Sequence, residues 1–260
     1  MNNRSSTIDF CADDELGYQR SRTRFVPSVG LALDEAYRLA HLPLVAPHHP
    51  QVILARDGTP YRMGRHAPVF SFVLPVSAQA LHRSEAYREL DGEIRASPFA
   101  SKIAWDLLDR RRDKLHATLC GSLAVGEQTP PALDDRQLLA LSRLGPVGIE
   151  LRGVFSGNVN VGRLYLRVYP ERRDGINLLR QIQRTLGRRE TDLYVVGLYN
   201  LIDDLNPEEA AALDDLIRRW WDRPLLRFEI DHLWLLRAMD DLVLDGAVVA
   251  EVPLHPNPDQ

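Results

Sequence analysis

From residue 69 onward, apolar positions recur with a period of two in some stretches and of three to four in others, the marks of strands and helices. Residues 69–76 read as a strand. Ala86, Leu90 and Ile94 share a face of a helical region over 79–94. Residues 97–113 fit neither period, and 114–123 alternate again as a strand. Asp134-Asp135 opens a helix through Leu138, Leu141 and Leu144 that stops at Gly145. Val147, Ile149, Leu151 and Phe155 alternate as the next strand, with a turn at 156–158. The same order then recurs. Leu164, Leu166 and Val168 alternate, and Asp174 is the expected cap of a helix carrying Ile176, Leu179, Ile182 and Leu186, ended by Gly187. Residues 193–201 form a strand. Asn206-Pro207-Glu208-Glu209 starts a helix that buries Leu213, Leu216, Ile217 and Trp220. Leu226, Phe228, Ile230, His232 and Trp234 line one face of a last long strand, and 243–254 offer one more.

Both halves therefore read β-α-β-α-β, which predicts an internal duplication. The expected class is α+β: two pseudo-symmetric βαβαβ lobes with antiparallel sheets around a central cleft. Lobe one covers about 68–156 and lobe two about 161–254, within a domain over 61–260. Residues 1–60 are a separate N-terminal arm. Its first 30 positions are polar and without period, a loose segment, and 31–41 form a short helix.

With 260 residues, 45% of them hydrophobic, the chain can bury a sizeable core. No apolar run approaches the roughly 18 residues of a membrane span. The N-terminus lacks the apolar core of a signal peptide, and Cys11 and Cys120 make no disulfide framework. The expectation is a soluble cytoplasmic protein with no membrane partner. A net charge of −4 excludes the global basic field that drives DNA binding. Lys102 and Lys114 are the only lysines, and the arginine clusters, Arg110-Arg111-Arg112 among them, read as solvated faces. Prolines separate His41 from His48 and His49, and no Cys, Asp or Glu lies among them, so neither metal nor cofactor is expected. Phosphate-loop, dinucleotide and nucleophile-elbow signatures are missing.

The candidate chemistry lies in KLHATLCGSL, residues 114–123. One face of this strand carries Leu115, Ala117, Leu119 and Leu123. The other carries His116, Thr118, Cys120 and Ser122, a row of short groups that donate, accept or move protons where a solvated strand would show Lys or Glu. That suits a cleft wall. A histidine titrating near neutral pH stands beside a hydroxyl able to hold an anionic oxygen.

Two βαβαβ lobes with His116-Ala117-Thr118 on a middle strand resemble the 2H phosphoesterase superfamily, which includes RNA 2′,3′-cyclic phosphodiesterases. VFSGNVNVGRLYLRV is similar to the family's strand–turn–strand between lobes. The resemblance implies a His-x-Thr/Ser motif on each lobe, the two facing across the cleft, with metal-free hydrolysis of cyclic phosphodiesters of nucleotides or RNA ends. One imidazole serves as base and the other as acid, and the hydroxyls hold phosphoryl oxygens. His116 and Thr118 are then the expected catalytic residues. The family's spacing puts the second motif at Tyr194-Val195-Val196, so this motif is degenerate. His232 is the remaining candidate for a second acid or base, although it shares its face with Phe228, Ile230 and Trp234 and reads as semi-buried. Three readings follow. The first is a phosphodiesterase of altered design, with His116 in one proton-transfer role and Tyr194, or His232 if it reaches the cleft, in the other. The second is a non-hydrolytic module binding a nucleotide-like or other phosphorylated ligand through His116, Thr118, Ser122, Tyr194 and Tyr199, with the apolar side chains of Val196 and Leu198 on the opposite wall. The third is an interaction scaffold contacting partners through Trp220-Trp221.

Overall fold

The computed structural model describes residues 8–255; residues 1–7 of the expected arm and 256–260 of the expected domain lie outside them. After a 3-10 turn at Asp13–Glu15, short helices α1 (Tyr18–Ser21), α2 (Glu35–Ala40) and α3 (Leu42–Val45) precede strand β1 (Arg65–Pro75). There follow α4 (Ala78–Arg83), α5 (Glu85–Arg95), α6 (Asp106–Arg111), β2 (His116–Val125), α7 (Asp135–Ser142), β3 (Val147–Ser156) and β4 (Arg163–Pro170). A small hairpin, β5 (Arg172–Arg173) and β6 (Ile176–Asn177), leads into α8 (Leu178–Thr185), β7 (Val195–Asn200), α9 (Pro207–Trp220), β8 (Pro224–Ile230), β9 (His232–Asp240) and β10 (Gly246–Pro253).

The class is α+β. Its larger sheet is continuous and antiparallel, in the order β10-β9-β1-β2-β7-β4-β3-β8. The single long strand expected through Trp234 is two strands, β8 and β9, broken at Asp231. Only that residue separates them, yet they lie six places apart in the sheet. Six flat steps would put them about 29 Å apart, and one linking residue reaches about 7 Å. The sheet therefore curls into a half-barrel until its ends approach. Strand pairing also crosses the expected division near residue 160. β3 lies between β4 and β8, whereas β9 lies beside β1 with β10 outside it.

Local signals explain most helix starts. Asn206 accepts from Glu209 N, and the Glu209 side chain accepts from Asn206 N, the reciprocal cap read from the sequence. The expected helix over 79–94 is broken by Ser84, whose hydroxyl accepts from Tyr87 N and restarts it as α5. Asp174 is not the cap of α8; Asn177 is, accepting from Leu179 N and Arg180 N. Asp174 and Gly175 instead form the two-residue turn of the β5–β6 hairpin, both with positive φ (52° and 77°), the pairing that Asp-Gly favours.

The N-terminal segment is not a loose arm over its described part. Cys11 N donates to Pro170 O and Thr23 N to Ser156 O, and Leu31 exchanges both backbone hydrogen bonds with Leu205. Tyr18 and Tyr37 are fully buried. Helix α2 is shorter than the expected 31–41, and its last turn leads directly into α3 through His41. Trp220 is buried in the core and Trp221 is 8% exposed, its indole N–H donating to Asp13. Trp220 is core packing, and Trp221, almost as buried, lines a cavity of about 760 Å³ with Phe25 and Ile217.

Tyr18 carries the clearest load. Its hydroxyl lies 2.6 Å from Val168 O and 2.8 Å from Tyr194 O and accepts from Val168 N, stitching β4 to the start of β7. Val168 N also donates to Tyr194 O at 3.0 Å, so Tyr18→Phe removes the hydroxyl's bonds and leaves that one, and we expect a loss of about 1 kcal/mol. A urea midpoint that falls at unchanged slope is the predicted result; a midpoint equal to wild type contradicts it.

Candidate functional site

Strand β2 brings His116 to the middle of the sheet. The Nδ1 of His116 lies 2.7 Å from Lys114 O. A carbonyl only accepts, so Nδ1 carries the proton and Nε2 keeps its lone pair. Burial, aided by the charges of Arg111 and Arg163, pushes the His116 pKa down to about 4. The imidazole is therefore neutral near pH 7.

His116, Thr118 and Ser122 line one cavity of about 310 Å³, together with Tyr61, His66 and Asp241. The expected polar row is interrupted. Pairing between β1 and β2 slips on both sides of Phe72, and this turns Cys120 into the core, where it is 4% exposed and burial pushes its thiol up to about 11. Ser122 returns to the cavity with φ at 51°. A period-two reading could not register that bulge.

The facing strand differs more from expectation. Strands β2 and β7 meet at one residue pair, Ala117 with Val196. Extending that antiparallel register by one residue sets His116 across from Gly197, not Tyr194 or Val196. A Cβ on Gly197 would overlap the Arg163 guanidinium, which lies against it. Tyr194 and Val196 point away with Ala117 and are 0% exposed; the Tyr194 hydroxyl donates to Thr191 O at 2.5 Å. Leu198, expected on the same wall, is also buried in the core. The Tyr199 hydroxyl donates to Asp91 on α5, and the Tyr199 ring meets Trp105 edge-on. Neither tyrosine reaches the cavity, so neither is available to stack a base. His232 lies elsewhere again. It lines a separate cavity of about 880 Å³ with His82 and Arg112, its Nδ1 2.6 Å from Asp231.

Several residues that shape this site carried no periodic signal. Arg111, read as part of a solvated cluster, is 1% exposed at the end of α6. Its Nη1 donates to Gly197 O at 3.0 Å, while Nε and Nη2 have no partner. Arg163 donates from Nη1 to His41 Nε2 and Asp241 O, both at 3.1 Å, and its Nε is without a partner. Among the described residues neither guanidinium bonds to a carboxylate. Burial and the nearby Arg163 push Arg111 down to about 9. Taking such an ion out of water unpaired costs several kcal/mol. His41, stacked flat on Tyr37 and buried beside Arg163, is pushed down to about 3. His66 moves the other way, raised by its contact with Asp241, whose Oδ1 lies 3.5 Å from Nε2. Asp241 itself stays low, at about 2; burial works to raise it, and His66, His41 and the Tyr61 hydroxyl outweigh that. A small apolar cluster of Ala104, Leu107 and Leu242, with Leu44 packed on it, joins α3, α6 and the β9–β10 loop.

In comparisons with known proteins, no family model matches this chain, and no curated protein matches it. Among the described residues, no helix is long and apolar enough to cross a membrane.

The two neutral histidines impose a pH dependence. An unfolded histidine titrates near 6.5. Below that pH the unfolded chain takes up protons that folded His116 and His41 refuse until about 4 and about 3. Their contribution is fully present above pH 6.5 and is lost as the pH falls, on the order of 1.4 kcal/mol per unit for each. His66 has the opposite sense, and its window lies above 6.5. We expect urea midpoints to fall from pH 6.5 to 5, with the slope reduced in His41→Leu and in His116→Leu. Slopes equal to wild type in both variants contradict this.

Proposed function

We propose that the chain is a 2H phosphoesterase-like protein whose cleft holds a nucleotide-like or other phosphorylated ligand without hydrolysing it. The order of elements, β-α-β-α-β twice, supports this reading. So does the sheet, which divides at its centre into two quartets, β10-β9-β1-β2 and β7-β4-β3-β8, joined by a single residue pair at the His-x-Thr strand. In this reading the quartets are the two walls of the cleft, and each draws strands from both expected lobes: β3 joins the second quartet, β9 and β10 the first.

The observation that carries the reading is Gly197 under the Arg163 guanidinium, at the place facing His116. Hydrolysis of a cyclic phosphodiester by two imidazoles needs one on each side of phosphorus, one to take a proton and one to give it. Arginine stays protonated and cannot fill the second role. What persists is the wall of Thr118 and Ser122, whose hydroxyls can donate to phosphoryl oxygens, with the Nε2 of His116 beside them as an acceptor for a ligand hydroxyl.

One observation favours residual hydrolysis as a second reading: His66 lines the same cavity and is held toward its protonated form by Asp241. It would act as the proton donor to a leaving oxygen, with His116 as base.

The test is paired. Nucleoside monophosphates should raise the melting temperature of the full chain, and His116→Ala with Thr118→Ala should weaken their calorimetric affinity about tenfold or more. 2′,3′-Cyclic nucleotides should show no turnover above the uncatalysed rate. No binding across the nucleotide set contradicts the first reading, and turnover that vanishes in both His116→Ala and His66→Ala establishes the second.

A further inference from the structure

The N-terminal segment is tied down at Thr23, whose N–H donates to Ser156 O at the end of β3, and again at Leu31, which pairs with Leu205. Between these ties it runs beside α9 and leaves a groove against the helix. One end of the groove is the cavity of about 760 Å³, where Phe25, Ile217 and Trp221 lie beside Arg22, Arg24 and Arg218. The other end, about 400 Å³, shares Phe25 and Arg218 and continues past Val26 and Pro27. The two banks differ in charge. On α9, Arg218 is paired with Asp214 at 3.4 Å and with Asp215 at 2.6 Å. On the segment, Arg22 and Arg24 are exposed and meet no carboxylate among the described residues; the Arg22 guanidinium lies 5.8 Å from the Trp221 ring centre. Val26 and Val29 are 58% and 54% exposed. The N–H groups of Arg24, Phe25 and Val26 have no backbone acceptor among the described residues.

We propose that this groove docks an acidic peptide segment of a partner protein, with carboxylates on Arg22 and Arg24 and an aromatic or branched aliphatic side chain seated among Phe25, Ile217 and Trp221. The two accessible guanidinium groups without counter-charges set the sign of the occupant. The apolar floor sets its anchor, because a large side chain in a desolvated pocket carries most of the energy of such contacts. The open backbone of the segment suits an extended chain, which can add main-chain hydrogen bonds. A nucleic-acid strand fits less well. Trp221, 8% exposed, offers no free ring face for a base, and Asp214 and Asp215 line the α9 bank where a phosphate backbone would run. The groove shares no lining residue with the His116 cavity, so the inference stands apart from the reading of that cleft.

The experiment selects binders to the full chain from a random-peptide display library and discards those that also bind an Arg22→Glu, Arg24→Glu double variant. Survivors should carry several carboxylates around an aromatic or branched aliphatic residue. A synthetic survivor, measured by calorimetry, should lose about tenfold or more in affinity on Arg24→Glu and on Val26→Asp. Both positions are exposed, so the variants should melt like the wild type, and added salt should weaken the binding that remains. A library without survivors, or survivors without carboxylates, overturns the proposal. So does wild-type affinity in both single variants. Two further probes distinguish other occupants: oligouridylate, and sedimentation of the chain alone. Oligouridylate bound more tightly than any survivor and lost in the double variant overturns the proposal in favour of nucleic acid. Self-association that the double variant abolishes overturns it in favour of a second copy.

Discussion

A single pair of residues, Ala117 and Val196, holds the large sheet together across its middle. A ladder that short cannot align two groups of four strands, so other contacts splice the seam. The Gln183 side chain donates to Leu119 O. Ile103 bridges to Leu201, and Ala104 N donates to Asn200 O. Arg111 donates to Gly197 O, taking up a carbonyl next to the paired residue. The backbone accounting of a sheet interior, in which buried carbonyls need partners, is thus met here by side chains. That is why the seam can carry polar chemistry at all. It keeps His116 in the sheet plane while opening the ground beside it to Arg163 at the start of β4 and to Arg111 and His41 from outside the strands.

The N-terminal segment is the other half of this construction. Tyr18 closes the gap between β4 and β7, and Tyr37 donates to Leu201 O while stacking on His41. Through His41 the segment also fixes Arg163, whose position over Gly197 requires a residue without a Cβ. Residues outside the repeated strand-and-helix pattern therefore help to hold in place the Arg163 side chain that faces His116. The space opposite His116 is filled by a charge that the segment helps to hold.

Much of the architecture was legible in the chain. Strands at 69–76, 147–155 and 193–201, and the Asn206 helix with its reciprocal cap, follow from period and capping chemistry, which act between neighbours in sequence. The α+β class follows from their order. The break at Asp231 was not legible, because hydrophobic alternation continues through Ile230, His232 and Trp234 while the chain passes from the edge strand β8 to β9, one strand in from the opposite edge. Cys120 and Ser122 separated for a related reason: a bulge changes which face a residue takes without changing the letters.

The candidate site divides the same way. His116 and Thr118 could be picked out because a strand's alternation displays them side by side, and local chemistry makes that row unusual. Gly197, Arg111, Arg163, His41, His66 and Asp241 could not. They come from separate elements, they are brought together by the curl of the sheet and the packing of the N-terminal segment, and nothing in their own neighbourhoods distinguishes Arg111 from the solvated arginines on either side of it. Local periodicity is a property of a few consecutive residues; burial and the absence of a counter-charge are properties of the folded surroundings.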